Sequence, residues 1–484
     1  MIDPMRPTLA PFRPALAALA LLAGLAGCSM APVYERPPAP IATQWPGAEA
    51  ADGAGQTRAV ADIGWREFFR DPRLARLVEL GLANNRDLRV AVLNIEAARA
   101  QYGITRADQL PTVGAGGSVS RQRVPADLSP TGQSGISDQY QATLGVTAFE
   151  IDLFGRVRNL GDAALAQFLS TGEARKAMQI SLVAQIADAY LTERAADQRI
   201  ELLQRTLGSR EESLKLVTVR YEGGAASELE QRQAQGLVAG ARADLADARR
   251  LRAQAANALT LLIGQPLPAD LPAPLTLDQQ GLISELPAGL PSQLIERRPD
   301  IAAAEQQLRG SYANIGAARA AFFPRITLTG ALGTASSELD GLFGRGSGIW
   351  SFMPQISLPI FDAGRNQANL DLATVRRDIA VARYEQTIQS AFREVSDALA
   401  ARGTLDEQLQ AQQAQLEAAQ RTVELSDLRY RSGVDNYLQL LDAQRGLYAA
   451  EQALLATRLA RLSNLVALYK SLGGGWNEGS GSTS

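Results

Sequence analysis

Two long stretches of the chain combine an absence of proline with a regular recurrence of apolar positions. Residues 157–221 and 366–430 each contain 65 residues without proline. As helices, each would reach about 98 Å at a rise of ~1.5 Å per residue. In the second stretch one phase recurs every seven residues, at Val381, Ile388, Val395, Arg402, Leu409, Leu416, Val423 and Tyr430. A seven-residue period predicts a left-handed coiled coil, and return helices are predicted at about 228–263 and 436–472.

Shorter segments alternate with a period of two, which is typical of strands. Residues 139–151 place Tyr140 and every second residue up to Ala148 on one face, and residues 350–360 do the same from Trp350 and Phe352 to Ile360. Paired with the runs after Pro111 and Pro324, each segment predicts one β-hairpin. A small soluble sheet is one interpretation. Strands of about 10 residues with aromatic side chains on an apolar face favour a membrane sheet.

The chain contains one unit twice. In the first part of the unit, five residues recur 213 residues later: Asp87, Gly103, Arg106, Ala107 and Pro111 return as Asp300, Gly316, Arg319, Ala320 and Pro324. Farther along the offset is 209 residues, as for Gly155 and Gly364 or Tyr221 and Tyr430. The two copies therefore differ in length only in the segment between Pro111 and Gly155, as loops permit. The predicted organisation is a leader at 1–27, an N-terminal segment at 28–86, repeats at 87–289 and 290–472, and a tail at 473–484.

Four predicted strands per chain cannot close a sheet, and an open edge in lipid leaves backbone groups unpaired. Because closed membrane sheets start at about eight strands, at least two copies are needed, and three copies supply 12 strands. The helices of the same assembly would continue the barrel as a tube. Such an open-ended tube conducts solutes.

The composition narrows the chemistry further. The chain has no His and one Cys, which excludes imidazole-based catalysis, an imidazole metal ligand and an intramolecular disulfide. No enzyme activity and no cofactor is predicted. The net charge of −3 argues against a nucleic-acid partner, since phosphate-binding surfaces are normally basic.

The single cysteine follows an export signal. Residues 15–26 form a 12-residue apolar stretch, too short to span a bilayer, and Leu25-Ala26-Gly27-Cys28 matches a bacterial lipobox. Cys28 is therefore the predicted lipid attachment site, although a buried, unmodified cysteine is the alternative. Ser29 at the next position implies the outer membrane, and acyl chains there tether the protein without threading it through the bilayer.

Several motifs make the chain resemble the outer membrane factor (TolC-like) family, in its OprM-like lipoprotein branch. They include Trp65-Arg-Glu-Phe-Phe-Arg-Asp-Pro72, Glu296-Arg-Arg-Pro-Asp300, Leu358-Pro-Ile-Phe-Asp-Ala-Gly-Arg365 and Arg429-Tyr-Arg-Ser-Gly433. The resemblance implies a homotrimer with a 12-stranded β-barrel in the outer membrane, continuous with a 12-helix periplasmic α-barrel. It also implies passive multidrug efflux with a periplasmic adaptor and an inner-membrane resistance-nodulation-division (RND) pump.

The same resemblance assigns a periplasmic gate to Leu438, Asp442 and Arg445. Spacings of four and three put these residues on one helix face. An ordinary solvated face is the competing interpretation. Glu230 is the nearest acidic counterpart in the first repeat, and no equivalent gate is assumed there. Glu193 and Asp197 are predicted to lie on a solvated face of the first long helix.

The two helical hairpin tips carry an Arg-Tyr-x-x-Gly pattern. The residues concerned are Tyr221, Gly223, Gly224, Tyr430 and Gly433. The family uses this pattern to contact the adaptor, whereas helix termination with glycine at the C-cap explains it equally well. Two other functions stay open: an outlet for protein or signal-molecule secretion, and a periplasmic coiled-coil scaffold without a pore.

Overall fold

The computed structural model describes residues 29–46, 59–129, 132–284, 286–289 and 291–476. These residues are mostly helical, with one antiparallel sheet, so the coarse fold class predicted from the sequence is confirmed. In chain order the elements are α1 (Trp65–Phe68), α2 (Pro72–Asn84), α3 (Arg86–Ala107), β1 (Val113–Val124), β2 (Gly135–Ile151), α4 (Arg156–Glu222), α5 (Glu228–Ile263), α6 (Pro291–Arg297), α7 (Pro299–Ala320), β3 (Arg325–Ser336), β4 (Gly348–Ser357), α8 (Arg365–Arg431) and α9 (Tyr437–Ser471).

The long helices carry their seam positions inward. Ile388 and Val395 on α8 are fully buried, and Tyr430 is 3% exposed. Every other α8 residue of the same seven-residue phase, from Val381 to Val423, is half-buried. A helix that buries one narrow stripe along its length packs against neighbouring helices as a coiled coil does. No helix in the described ranges combines the length and the apolar character needed to cross a membrane.

The four strands form one sheet in the order β1-β2-β3-β4, with every neighbouring pair antiparallel. Each predicted hairpin is present, since β1 pairs with β2 and β3 pairs with β4. The two hairpins join through β2 and β3. Within the single chain, β1 and β4 therefore form the two outer edges of the sheet.

A β-bulge corrects the predicted alternation in β2. The register moves from Val146 opposite Gly330 to Phe149 opposite Leu328, so β2 uses one more residue than β3 there. Ala148 takes a positive φ of 52°, and its N–H donates to the Thr329 hydroxyl at 3.0 Å. Ala148 is thus the bulged residue and does not continue the apolar face. In addition, β4 ends at Ser357, so Leu358 and Ile360 follow the strand.

The chain divides into two compact units. The strand unit holds the stretch up to Pro38 with Ile95–Thr171 and Ala304–Tyr384, and the helical unit holds Ala39–Asn94, Gly172–Ala303 and the stretch from Glu385 onward. In the helical unit, Phe68 stacks on Tyr469 with 4.0 Å between ring centroids. The Tyr469 hydroxyl donates to the Ile63 carbonyl oxygen at 2.7 Å, which fixes the backbone at Ile63 against α9.

Candidate functional site

The two turns at the helical tips share one backbone geometry. Gly224 and Gly433 have φ values of +73° and +74°, in the left-handed region that glycine adopts without strain. The N–H of the following residue closes each helix, from Ala225 to the Arg220 carbonyl at 2.7 Å and from Val434 to Arg429 at 2.9 Å. These bonds satisfy carbonyls that a helix end leaves free. Helix termination therefore accounts for both glycines, while Gly223 makes an ordinary helical bond to Val219.

The two tip tyrosines lie in different environments. Tyr430 is 3% exposed and belongs to a tip cluster with Val217, Ala234, Tyr437, Leu440 and Leu441. The Arg220 guanidinium lies 4.7 Å from the Tyr430 ring centroid. In contrast, Tyr221 is 39% exposed. Tyr430 therefore packs under the turn, and Tyr221 is the member of the pair that a partner can reach.

The three predicted gate residues share an exposed face of α9. Leu438 is 55% exposed, and Asp442 and Arg445 are exposed as well. Within the described part of the chain, neither Asp442 nor Arg445 makes a hydrogen bond or an ion pair. This face is available for contacts that a single chain does not supply.

A polar link that was not predicted from the sequence holds α9 one turn farther on. The Tyr448 hydroxyl donates to Asp244 on α5 at 2.8 Å, and the Arg210 guanidinium on α4 lies 4.9 Å from the Tyr448 ring centroid. Burial and the Asp244 carboxylate raise the pKa of Tyr448 to about 12, so the phenol keeps its proton at neutral pH. The sequence does contain a signal for this bond. Spacings of four, three and four place Tyr437, Leu441, Gln444 and Tyr448 on one face of α9, so the polar residues Gln444 and Tyr448 lie in the seam between helices. A polar residue at a seam needs a partner.

Glu230 has a local role at the start of α5. The Ser227 hydroxyl accepts from the Glu230 N–H at 3.3 Å, and the Glu230 carboxylate accepts from the Ser227 N–H at 3.2 Å. This reciprocal pair is a capping box, which satisfies two free donors at the helix start. Glu230 is thereby engaged in folding the tip of the first hairpin.

The prediction for Glu193 was wrong. Glu193 is 2% exposed, with its carboxylate 3.3 Å from Arg194 and 3.6 Å from Arg252 of α5. Asp197 pairs with the same two arginines at 2.7 and 3.2 Å. Burial of a carboxylate requires such partners. The four charges form an ion-pair network between α4 and α5, which neutralises the carboxylates.

The predicted membrane aromatics lie on one face of the sheet. Trp350 is 81% exposed and Phe352 61% exposed, whereas Tyr140 is half-buried. Cross-strand partners point to the same face, so the register identifies their neighbours. These are Val113, Ala115, Val119, Ala142, Leu144, Val146, Leu328, Leu332 and Ile356. A large exposed apolar face is abnormal for a surface in water and marks an interaction with lipid or protein.

Two further predictions concern the lipid on Cys28 and metal binding. Cys28 lies outside the described residues, so the predicted lipid attachment is not part of the structure. Among the residues that are described, no group of three or more acidic or cysteine side chains is arranged to hold a metal ion.

Comparison with known proteins identifies the family. The family model for outer membrane efflux proteins matches residues 77–265 and 290–474, which is most of the chain. The probable efflux pump outer membrane protein TtgC of Pseudomonas putida is 53% identical over 458 residues, covering 94% of each chain. The outer membrane protein OprJ of Pseudomonas aeruginosa is 49% identical over 469 residues, covering 96% of this chain and 97% of that protein.

A solved structure gives the same result. The open state of the MtrE outer membrane channel of Neisseria gonorrhoeae matches with a TM-score of 0.85 and 44% identity, covering 93% of this chain and 99% of that one. The similarity thus extends over nearly the full length of both chains, in sequence and in fold. The protein belongs to the outer membrane efflux protein family.

Proposed function

We propose that this chain is the outer-membrane exit duct of a tripartite efflux system and that it works as a homotrimer. The observation that carries this proposal is the four-stranded sheet, which has an exposed apolar face and two outer edges that no other described segment pairs with. Lipid cannot satisfy the backbone groups of an open edge. The edges β1 and β4 of three copies would pair to close a 12-stranded barrel.

The long helices supply the rest of the duct. Each chain contributes α4 with its return helix α5 and α8 with its return helix α9, so three copies provide 12 helical segments for a periplasmic tube. The charges of α4 and α5 near Glu193 are paired. In this proposal export through the tube is passive, with a periplasmic adaptor and an inner-membrane RND pump as the partners that supply energy and cargo.

Lipid attachment at Cys28 completes the proposed placement. The lipobox residues 25–28 support acylation, and Ser29 at the following position supports sorting to the outer membrane. Acyl chains add affinity for the bilayer that the sheet enters.

Conductance and oligomer stability together test the proposal. We expect an oligomer of the unboiled, detergent-solubilised protein, with the mass of three chains, and ion conductance in planar bilayers. A lipid-tethered coiled-coil scaffold would yield neither a detergent-resistant trimer nor conductance. An outlet for protein or signal molecules would conduct but would leave drug resistance unchanged when its gene is deleted.

The first prediction concerns the proposed gate. Three-fold symmetry would turn Leu438 into an apolar ring and Asp442 into a ring of facing carboxylates that favours a bound cation. We expect Asp442→Ala to raise the conductance of the closed channel in planar bilayers, because this charged ring would be lost. Glu417→Ala removes an exposed carboxylate from α8 and serves as the control. Equal traces for Asp442→Ala and the native protein would remove Asp442 from the gate.

The second prediction concerns the link between α9 and α5. Tyr448→Phe removes the donor to Asp244 while keeping the ring beside Arg210. A hydrogen bond to a charged group contributes enough to change a two-state ratio about tenfold or more. We expect more frequent channel opening, measured as open probability in bilayers. Asp244→Asn should give a similar shift. If Tyr448→Phe opens no more often than the native channel, the bond does not restrain α9.

The third prediction separates helix termination from adaptor contact at the second tip. At Gly433 a Cβ would meet no atom within 4 Å, so Gly433→Ala adds only the cost of a left-handed backbone, about 1–2 kcal/mol. Gly433→Glu adds the same strain and a charged side chain on the surface. We expect both trimers to assemble but only Gly433→Glu to lose drug export in cells. Equal export by the two variants would argue against a contact at this tip.

A further inference from the structure

The first residues after Cys28 lie along one helix of the strand unit. Residues 29–36, the N-terminal strap, follow a face of α7 formed by Gly316, Tyr312, Arg309 and Glu305, at spacings of four, three and four. A Cβ added at Gly316 would lie 2.7 Å from the Ala31 nitrogen, so the strap backbone contacts the helix directly. Farther along, the Tyr34 ring meets Tyr312 edge-on at a centroid distance of 5.5 Å.

Glu305 fixes one end of the strap. Its carboxylate accepts from the Tyr34 hydroxyl at 3.0 Å and from Arg36 Nη2 at 2.8 and 3.1 Å. Arg309 on the same helix donates at 2.8 Å. Burial alone would raise the pKa of Glu305, but these donors outweigh it and hold the pKa below its usual value. The carboxylate is therefore ionised at neutral pH, when its bonds to the strap are strongest.

The other end of the strap contacts Asn159 on α4, whose amide has an unused donor. The Ser29 hydroxyl donates to Asn159 Oδ1 on α4 at 2.9 Å. Asn159 is 1% exposed, and its amide Nδ2 is buried with no hydrogen-bond partner among the described residues. A buried N–H group without an acceptor is costly, so an acceptor placed against Nδ2 would stabilise the structure. Ser29 is the residue that directly follows Cys28 in the sequence.

An acylated cysteine carries the missing kind of group. Its N-acyl amide and its glyceryl esters present carbonyl oxygens, which accept hydrogen bonds and donate none. We propose that α4 and α7 form a seat for the lipidated N-terminus, in which Asn159 Nδ2 donates to a carbonyl of acylated Cys28 and Glu305 holds the strap. This inference rests on the proposed lipid attachment at Cys28.

The seat has a consequence for the position of the lipid. Asn159 lies at the start of α4, eight residues after β2 ends at Ile151 and four residues after the turn at Gly155. Gly316 lies in the last turns of α7, nine residues before β3 begins at Arg325. The seat thus lies between the connection from β2 to α4 and the connection from α7 to β3. Acyl chains held there enter the bilayer at the same level as the helix-side end of the sheet.

A spin label on the strap tests the Glu305 contact. Val33 is 83% exposed, so Val33→Cys accepts a nitroxide without disturbing the strap. We expect an immobilised label in the full trimer and a mobile one after Glu305→Gln, with the docked-to-undocked ratio falling about tenfold or more. Glu35→Gln removes an exposed carboxylate from the strap itself and should leave the spectrum unchanged. Identical spectra for Glu305→Gln and the native strap would overturn the role of Glu305.

A double-mutant cycle tests the Asn159 contact in the same labelled protein. Asn159→Leu is compared in the acylated chain and in Cys28→Ser, which is exported with a cleavable signal that adds no lipid. We expect Asn159→Leu to mobilise the label more in the acylated chain, whereas Ser29→Ala should act equally in both. Asn159→Asp, of the same shape but without the donor, replaces Asn159→Leu if that variant does not form trimers.

The outcomes separate the seat from the lipid attachment. Equal effects of Asn159→Leu in the two backgrounds would overturn the seat, because Asn159 would then act on Ser29 alone. Mass spectrometry of the native N-terminus measures acylation directly. A free Cys28 thiol would overturn the lipid attachment and the seat together, while conductance of the trimer would still report on the channel.

Discussion

Replacing Gly333 by alanine is expected to abolish assembly of the trimer. Gly333 lies opposite Thr143 in the pairing of β2 with β3. A Cβ at Gly333 would overlap the Ala142 carbonyl oxygen and lie 2.7 Å from the Thr143 Cα. Both are backbone atoms, which cannot move aside as a flexible side chain can. The two hairpins would therefore separate at the junction that makes them one sheet.

Gly116→Ala is the matched control for this variant. Gly116 lies opposite the same Thr143, on the β1 side. A Cβ there would have the Thr143 hydroxyl oxygen as its nearest neighbour, at 4.0 Å. We expect Gly116→Ala to form the unboiled oligomer in native amounts and Gly333→Ala to form none, with its monomer degraded in cells. A stable, conducting Gly333→Ala trimer would contradict the close approach of β2 and β3.

The difference between these glycines also marks a limit of sequence reasoning. The period of two in β2 and the period of seven in α8 reflect local geometry, so the sequence predicted strands, long helices and one hairpin per repeat. A β-bulge depends on the partner strand. Ala148 fits the alternation in the sequence and becomes the bulged residue only because β3 supplies one residue fewer.

The tips show the same limit for candidate site residues. Tyr221 and Tyr430 occupy equivalent positions in the repeat, yet the cluster around Tyr437 buries only Tyr430. Glu193 resembles a surface acid in its helix and is buried because α5 brings Arg252 beside it. In contrast, the common face of Leu438, Asp442 and Arg445 follows from helical spacing alone. Contacts between distant elements decide burial and partners, and no local pattern encodes them.

The second large effect is expected at Arg298, between α6 and α7 in the helical unit. Its side chain is 10% exposed and donates four hydrogen bonds. Two go to Asp300 at 3.0 and 2.6 Å, one to Glu394 on α8 at 2.8 Å and one to the Ser471 carbonyl at 3.0 Å. Although burial alone lowers the pKa of Arg298, the two carboxylates raise it above its usual value. One charged group therefore joins three elements and satisfies a carbonyl at the end of α9.

Arg298→Met is expected to destabilise the protein by about 3 kcal/mol. This value is the lower end of the cost of breaking a buried ion pair, and it applies here because Asp300 and Glu394 are partly exposed. Arg297→Met is the control. Arg297 forms an exposed pair with Asp62 at 3.0 Å, which should contribute less than about 1 kcal/mol. We expect the apparent melting temperature of the detergent-solubilised protein to fall by about 5 °C or more for Arg298→Met and to change little for Arg297→Met. Adding Glu394→Gln to Arg298→Met should recover part of the loss, since one unpaired carboxylate is removed. Equal melting temperatures for the two arginine variants would show that the three elements are held together by packing and that the ion pairs of Arg298 contribute little.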